Sequence, residues 1–235
     1  MALLAIIMSV NFTACSSDDD PVNGNENSGS EKKLTKIHLS KDMVIITYTY
    51  DEKNRLIKSI RTGKNYTWET KFTWGTDIII AESDSRNQTY YLENNLIVDY
   101  NNWETFQYNS SKQIIATEEG GIKRNFTWNN NKLIEEQEYS DILTFNYKGQ
   151  TCKGFFPLMP MLAFDFSETR IYELYFAHPN LVGLQTQQLP CDLTYFSSNT
   201  ERKYTFEYTF TKDGYVESCT MKEGNYVNVI TFEWE

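Results

Sequence analysis

The sequence predicts an all-β protein: an antiparallel meander of repeated hairpins, roughly 14 strands in all, curled into an open or closed barrel with one short helical insertion. Three observations predict it. First, aromatic and polar residues alternate with a period of two, as in Tyr204, Phe206, Tyr208 and Phe210 against Thr205, Glu207, Thr209 and Thr211. That alternation gives a strand one aromatic face and one polar face. Second, the runs are joined by EKNR, ENN, NSSK, NNNK and KDG, short words built from the residues that tight turns require. Third, the unit recurs: the second aromatics of successive copies stand at 50, 74, 91, 108 and 128, spacings of 17 to 24 residues that suit one hairpin each. A lone hairpin is marginal in water, whereas a meander buries one continuous aromatic face, and closing it removes the exposed edges.

In chain order, the first element is residues 1–14, MALLAIIMSVNFTA, an apolar run too short to span a bilayer and shaped like a signal-peptide core. It ends immediately before Cys15, and the word FTAC resembles the lipobox of bacterial lipoproteins, in which the Cys becomes the lipidated first residue. Phe12 stands where that pattern most often has Leu, and no basic stretch precedes the apolar core. Residues 15–33 follow as a disordered acidic tether, whose composition suits a solvated linker. Its Ser-Ser-Asp-Asp-Asp run resembles the export signal of surface lipoproteins of Bacteroidota. The resemblance implies lipidation at Cys15 and a place on the outer membrane, at the cell surface or, alternatively, on the periplasmic face. A plain secretory signal with a chance Cys is the competing reading, and it too puts the protein outside the cytoplasm.

Residues 34–235 form the third element, a single β-meander domain. Its copies include ITYTYDEKNRLIKSI from Ile46, YTWETKFTWGTDIII from Tyr66, QTYYLENNLIVDY from Gln88, ETFQYNSSKQIIAT from Glu104 and RNFTWNNNKLIEEQ from Arg124. Between about 149 and 200 the repeat lapses. Within that insertion Ile171, Leu174 and Tyr175 share a helical face, Ser167 is placed to cap its start, and Pro179 lies beyond its end. A short helix is expected there, packed on the sheet or plugging one end of a barrel. With Cys15 set aside, Cys152, Cys191 and Cys219 remain. In an oxidising compartment Cys152 and Cys191, which bracket the irregular region, form the expected disulfide, and three buried thiols are the alternative. No CxxC spacing exists, so no metal site is expected.

The hairpin word of aromatic-x-aromatic, polar turn and Leu, followed by an insertion ending near GLQTQQLP, resembles a family of Bacteroidota lipoproteins of unknown function. The resemblance covers residues 34 to 235 and implies a porin-like fold. YTYDEKNRLIKS is similar to the Tyr-Asp repeats of large bacterial surface shells. The resemblance implies no catalytic residues. An integral outer-membrane barrel would need an outward apolar band of about 10 residues per strand; here most arms are shorter and their apolar face is crowded with Tyr.

Charge and motifs exclude further classes. A net charge of −10 without a basic cluster argues against nucleic acid as a partner. Neither HExxH nor GxSxG occurs, and His38 and His178 are the only histidines. Adjacent carboxylates such as Glu118–Glu119 and Glu135–Glu136 point to opposite faces of a strand and read as solvated. The aromatics are the stronger lead. Trp74 and Trp128 occupy core positions of the repeat, whereas Trp68 and Trp103 are the candidates to face outward as a carbohydrate-binding platform, with sheet packing as the alternative for each; His178, at the end of the expected helix, is a further site candidate, with an interaction with the helix dipole as its alternative role. The expected function is a non-enzymatic, lipid-anchored module that binds a glycan or peptide in an aromatic cleft near the insertion, without a cofactor. A structural protein docking to other envelope proteins is the alternative. A glycan-active hydrolase is the third reading, and requires two carboxylates converging in one cleft.

Overall fold

The computed structural model describes residues 32–40, 43–84, 86–157, 172–198 and 200–235. Sixteen antiparallel strands form one closed barrel in which each strand pairs with its sequence neighbours and the first closes on the last. They are β1 (Leu34–Leu39), β2 (Val44–Tyr50), β3 (Leu56–Gly63), β4 (Tyr66–Trp74), β5 (Ile78–Ser83), β6 (Arg86–Glu93), β7 (Leu96–Tyr100) and β8 (Glu104–Tyr108), followed by β9 (Ile114–Glu119), β10 (Ile122–Asn129), β11 (Lys132–Glu138), β12 (Asp141–Pro157), β13 (Gln185–Ser197), β14 (Thr200–Phe210), β15 (Val216–Glu223) and β16 (Tyr226–Trp234). Lys33 and Glu235 exchange backbone bonds of 2.6 and 2.9 Å where β1 meets β16.

The meander is therefore as the period-two pattern requires, with closure settled and two strands more than the sequence count. Much of the segment read as irregular from 149 to 200 is strand. β12 runs to Pro157 and β13 starts at Gln185, and the ladder between them shifts register at Asn146/Tyr147, Tyr147/Thr151 and Thr151/Phe156. Bulges at these points break the alternation in the sequence without breaking the sheet. The insertion proper spans 158–184. Its described part holds the helix Tyr172–Ala177 and a 3-10 turn at Pro179–Leu181. Cys15, Ser167 and Ile171 lie outside the described residues.

The core is inside the barrel. On β14 Tyr204 and Phe206 are buried while Thr205, Glu207 and Thr209 are exposed. The same parity brings Ile37, Ile46, Phe72, Tyr90, Phe126 and Ile230 into one lumen cluster. Each fully buried large apolar side chain is worth about 1.5–3 kcal/mol, and the closed ring collects them all on one face. The helix enters this lumen from one end: Leu174, Tyr175 and Phe176 are buried, and Tyr175 meets Tyr90 and Phe106 edge to face at centroid distances of 6.4 Å. We call this the plug end and the opposite one the open end. The outward face carries Thr, Glu, Lys and ion pairs such as Lys222–Glu207 and Lys36–Glu233, at 2.5 and 2.8 Å. A membrane-spanning wall needs the opposite polarity.

The repeat's aromatic has a second role besides burial. On seven strands, toward the plug end, an inward Tyr or Trp donates its polar hydrogen to a carbonyl of the preceding strand. The pairs are Tyr50 to Leu34, Trp74 to Leu56, Tyr108 to Ile97, Trp128 to Ile114, Tyr147 to Leu133, Tyr208 to Pro190 and Trp234 to Val216, at 2.5 to 2.8 Å. Each hairpin is thus closed by its turn at the open end and by an aromatic rivet at the other. The hairpin β5–β6 departs from this. Tyr91, read as its second aromatic, faces outward, and Leu92 occupies the inward position.

Candidate functional site

The open end differs from the rest of the lumen because charged residues there take the inward parity. Glu104 on β8 stands two residues before Phe106, Arg124 on β10 two before Phe126, and Glu136 and Glu138 alternate along β11. The ladder makes Glu104 the cross-strand partner of Glu119, Thr117 the partner of Arg124, and Arg124 the partner of Glu138. Four adjacent strands thereby converge their polar side chains on one spot. Arg124 Nε lies 3.2 Å from Glu136 Oε1, and Nε and Nη2 donate to Glu138 Oε2 at 2.9 and 2.6 Å.

One guanidinium faces four carboxyls here, of which Glu136 is buried and Glu104, Glu119 and Glu138 are half-buried. Burial, reinforced by the charge of Glu119, pushes Glu104 up to about 7 against the pull of Arg124 and a Thr117 hydrogen bond. Burial also pushes Glu136 up to about 7, with Arg124 opposing and Glu138 adding to it. Glu136 Oε2 takes no hydrogen bond from any described residue. A cavity of about 210 Å³ opens beside them, lined by Trp103, Glu104, Thr117, Glu119, Gly120, Ile122, Arg124 and Glu138.

Around this polar mouth runs an apolar rim. Tyr139 (68% exposed), Trp103 (57%), Met43 (55%), Val227 (53%), Phe196 (42%) and Ile122 (39%) are the most exposed large hydrophobics of the described chain, and all six belong to the open end. Tyr139 and Met43 are held at φ 51° and 49°, a left-handed conformation costly for bulky side chains. Across the lumen Tyr66 stacks on Trp68 at 4.2 Å, and the buried Arg61 guanidinium sits 5.9 Å from the Trp68 ring.

Of the residues singled out from the sequence, Trp103 is exposed and lies on the lip of this cavity, away from the insertion where a cleft was expected. Trp68 is at the same end but turned inward and half-buried, because its parity on β4 is that of Thr70 and Phe72. His178 is elsewhere. At the plug end its Nε2 accepts from Leu56 N at 3.1 Å and its ring meets Tyr50 and Trp74 at 5.8 and 5.4 Å. Burial pushes it down to about 4, which makes it a neutral anchor of the helix. Near the insertion, where an aromatic cleft was expected, a groove of about 680 Å³ is lined by amides and hydroxyls, among them Asn95, Asn131, Asn180, Thr186 and Gln188. Cys152 and Cys191 stand on neighbouring strands as free thiols, with the expected bridge unformed. Among the described residues no His, Cys, Asp and Glu group is placed to hold a metal ion.

The charged cluster was missed in the sequence. Its signal is the parity of Glu104-x-Phe106 and Arg124-x-Phe126, which sets a charge on the core face of a strand. Reading Glu118–Glu119 as a pair with opposite faces is right, yet the inward member, Glu119, is the one that matters.

No family model matches the chain, and no curated protein matches it. Among solved structures, a porin-like protein from Bacteroides vulgatus aligns with a TM-score of 0.63 at 12% identity, over 86% of this chain and 98% of that one. A porin-like protein from Bacteroides uniformis aligns with a TM-score of 0.50 at 14% identity over the same shares. The chain thus has a porin-like fold, while its filled lumen and polar wall set it apart from a conducting pore.

Proposed function

We propose that the protein is a lipid-anchored envelope protein, held by Cys15 at the outer membrane, that binds a glycan at the open end of its barrel. The observation that carries this reading is the exposed Trp103 on the lip of a sugar-sized polar cavity, with Glu104, Arg124 and Glu138 inside it. An aromatic platform beside carboxyl and guanidinium groups suits a polyol, whose ring faces are apolar and whose edges are hydroxyls. Glu104, raised to about 7, can both donate and accept near neutral pH. A glycan-array screen of the chain from Ser16 onward, repeated with Trp103→Ala and Arg124→Ala, tests it. Saturable binding lost in both variants is the expected result; binding that survives both places the ligand elsewhere.

One observation favours a second reading. Glu104, raised to about 7, shares the cavity with Glu119, and a pair of carboxyls in one cleft is what glycoside hydrolysis starts from. Turnover of aryl glycosides, abolished by Glu104→Gln and by Glu119→Gln alike, would make the site catalytic. Binding without turnover leaves it a binding module.

A further inference from the structure

One tight turn is built three times at the plug end. In Asp51–Arg55, Asn109–Gln113 and Thr211–Tyr215 the first N–H donates to the fifth carbonyl and the fourth N–H to the first carbonyl, at 2.9 to 3.0 Å. The first side chain also accepts from the fifth N–H each time, through Asp51 Oδ1, Asn109 Oδ1 and Thr211 Oγ1. The three turns differ in charge. Asp51 forms an ion pair with Arg55, and Asp213 forms one with Lys32, both at 2.7 Å. In the middle turn two amides replace such a pair, and Asn109 Nδ2 donates to Gln113 Oε1 at 2.9 Å. The fourth residue is left-handed in all three, at φ 62° for Asn54, 60° for Lys112 and 88° for Gly214. Asparagine and glycine accept that conformation readily, whereas lysine does so at greater cost. The middle turn has therefore lost its charge pair and keeps a lysine where the backbone favours other residues.

That turn walls the groove of about 680 Å³ beside the insertion. The other walls are the β6–β7 turn with Asn95, the β10–β11 turn with Asn130 and Asn131, and the end of the insertion with Asn180 and Gly183. Gly183, at φ 62°, sets the spacing: a Cβ there would stand 2.8 Å from Ile114 N and against Lys112 O, so the insertion presses directly on the turn. Gln113 Nε2 reaches across to Asn131 Oδ1 at 3.1 Å, and the buried Thr186 Oγ1 donates to Gln188 O at 2.9 Å. These bonds hold the lining in place. The side chains of Asn95, Asn130 and Asn180 make no hydrogen bond among the described residues, which leaves their amides for a ligand. No carboxylate lines the groove, although the chain has 32 Asp and Glu and a net charge of −10, and the cavity at the open end has three. Lys112 is the one charged residue of the lining and has no ion-pair partner among the described residues.

We propose that this groove binds a short oligosaccharide carrying a carboxylate, a uronate, with Lys112 meeting the charge and the surrounding amides meeting the hydroxyls. Each amide offers two donors and an acceptor, which matches a hydroxyl that both donates and accepts. The volume lies within the range of about 300–1,000 Å³ usual for small-ligand sites. Elsewhere the negative charge of the protein repels an anion, and the lack of acidic side chains in this groove removes that repulsion locally. One ammonium, with no guanidinium or second lysine in the lining, suits a singly charged carboxylate rather than a phosphate. The groove lies at the opposite end of the barrel from Trp103, so the proposal stands or falls independently of the glycan reading of the mouth.

The probes are trimers of galacturonic, mannuronic, guluronic and glucuronic acid, together with their methyl esters, which keep the sugar and remove the charge. Each is titrated at pH 7 into the chain from Ser16 onward and followed by calorimetry. Saturable binding of at least one acid is expected, at least tenfold weaker for its methyl ester. Lys112→Asn supplies the residue that stands at the same turn position as Asn54, so the turn is kept while the charge is lost. It should weaken binding of the acid at least tenfold and leave the methyl ester unaffected. Asn180→Asp, which places a carboxylate in the wall, should do the same, whereas Trp103→Ala should change nothing. The proposal is overturned when none of the four acids binds, when a methyl ester binds as tightly as its acid, or when Lys112→Asn leaves the affinity unchanged. Binding abolished by Trp103→Ala also overturns it, because the ligand would then sit at the mouth.

Discussion

Glu104 sets the electrostatics of the open mouth, and its effect on stability has a definite sign. Its ordinary value of 4.5 is raised to about 7 in the folded chain. Between those limits the folded state holds a proton that the unfolded state has lost, so stability is full below about 4.5 and falls as pH rises through about 7. Glu104→Gln should therefore raise the Tm above that of the parent at pH 8 and leave it unchanged at pH 4, each kcal/mol appearing as about 2–4 °C in a chain of this size. Thermal scans at the two pH values decide it, and a difference independent of pH refutes the assignment. Tyr139 supplies a second case. It occupies a left-handed turn position that Asn130–Asn131 and Gly120–Gly121 fill elsewhere. A bulky side chain there costs on the order of 1 kcal/mol. Tyr139→Asn should gain about that much in urea unfolding while weakening glycan binding. A stability gain without loss of binding would remove Tyr139 from the site.

At the scale of elements, the rivets explain why the repeat keeps an aromatic with a polar hydrogen. Tyr147→Phe preserves the ring but removes the hydroxyl that donates to Leu133 O in a partly buried place, and should cost about 1–3 kcal/mol in chemical denaturation. A cost near zero would mean that the ring alone matters. The plug is tied by a related bond, Leu56 N to His178 Nε2. His178 is lowered from 6.5 to about 4, so its contribution is full above 6.5 and is lost as pH falls through about 4. The fluorescence of Trp74, 5.4 Å from that ring, should change over this window, and His178→Gln should abolish the change. Period, turns and rivet positions were legible in the sequence, because each is a local pattern. The rivet bond was not, since it joins residues 11 to 18 positions apart across two strands. Tyr90–Tyr91 misled the alignment because consecutive tyrosines leave parity open, and a bulge at Tyr91/Leu92 decides it.

At the scale of the whole molecule, the two ends of the barrel divide the work. The plug end holds the helix, the rivets and the meeting of β1 with β16, whereas the open end holds the charged cluster and the apolar rim. That division was not legible, because Glu104, Glu119, Arg124 and Glu138 converge only once the registers of four strands are fixed. Closure follows from strand number and edge protection, but the sense of the wall follows from side-chain parity. Aromatics face inward and Thr, Glu and Lys outward, so the barrel resembles a porin in topology and a soluble core in solvation. Among the described residues the lumen is filled by Ile37, Phe72, Tyr90, Phe126 and the helix side chains Leu174 and Phe176. The chain from Ser16 onward should therefore remain monodisperse without detergent and release no dye from liposomes of outer-membrane lipid. Dye efflux would require the wall to turn inside out, which would bury Glu207, Lys222 and Glu233 in hydrocarbon at a cost no packing term on this sheet could offset.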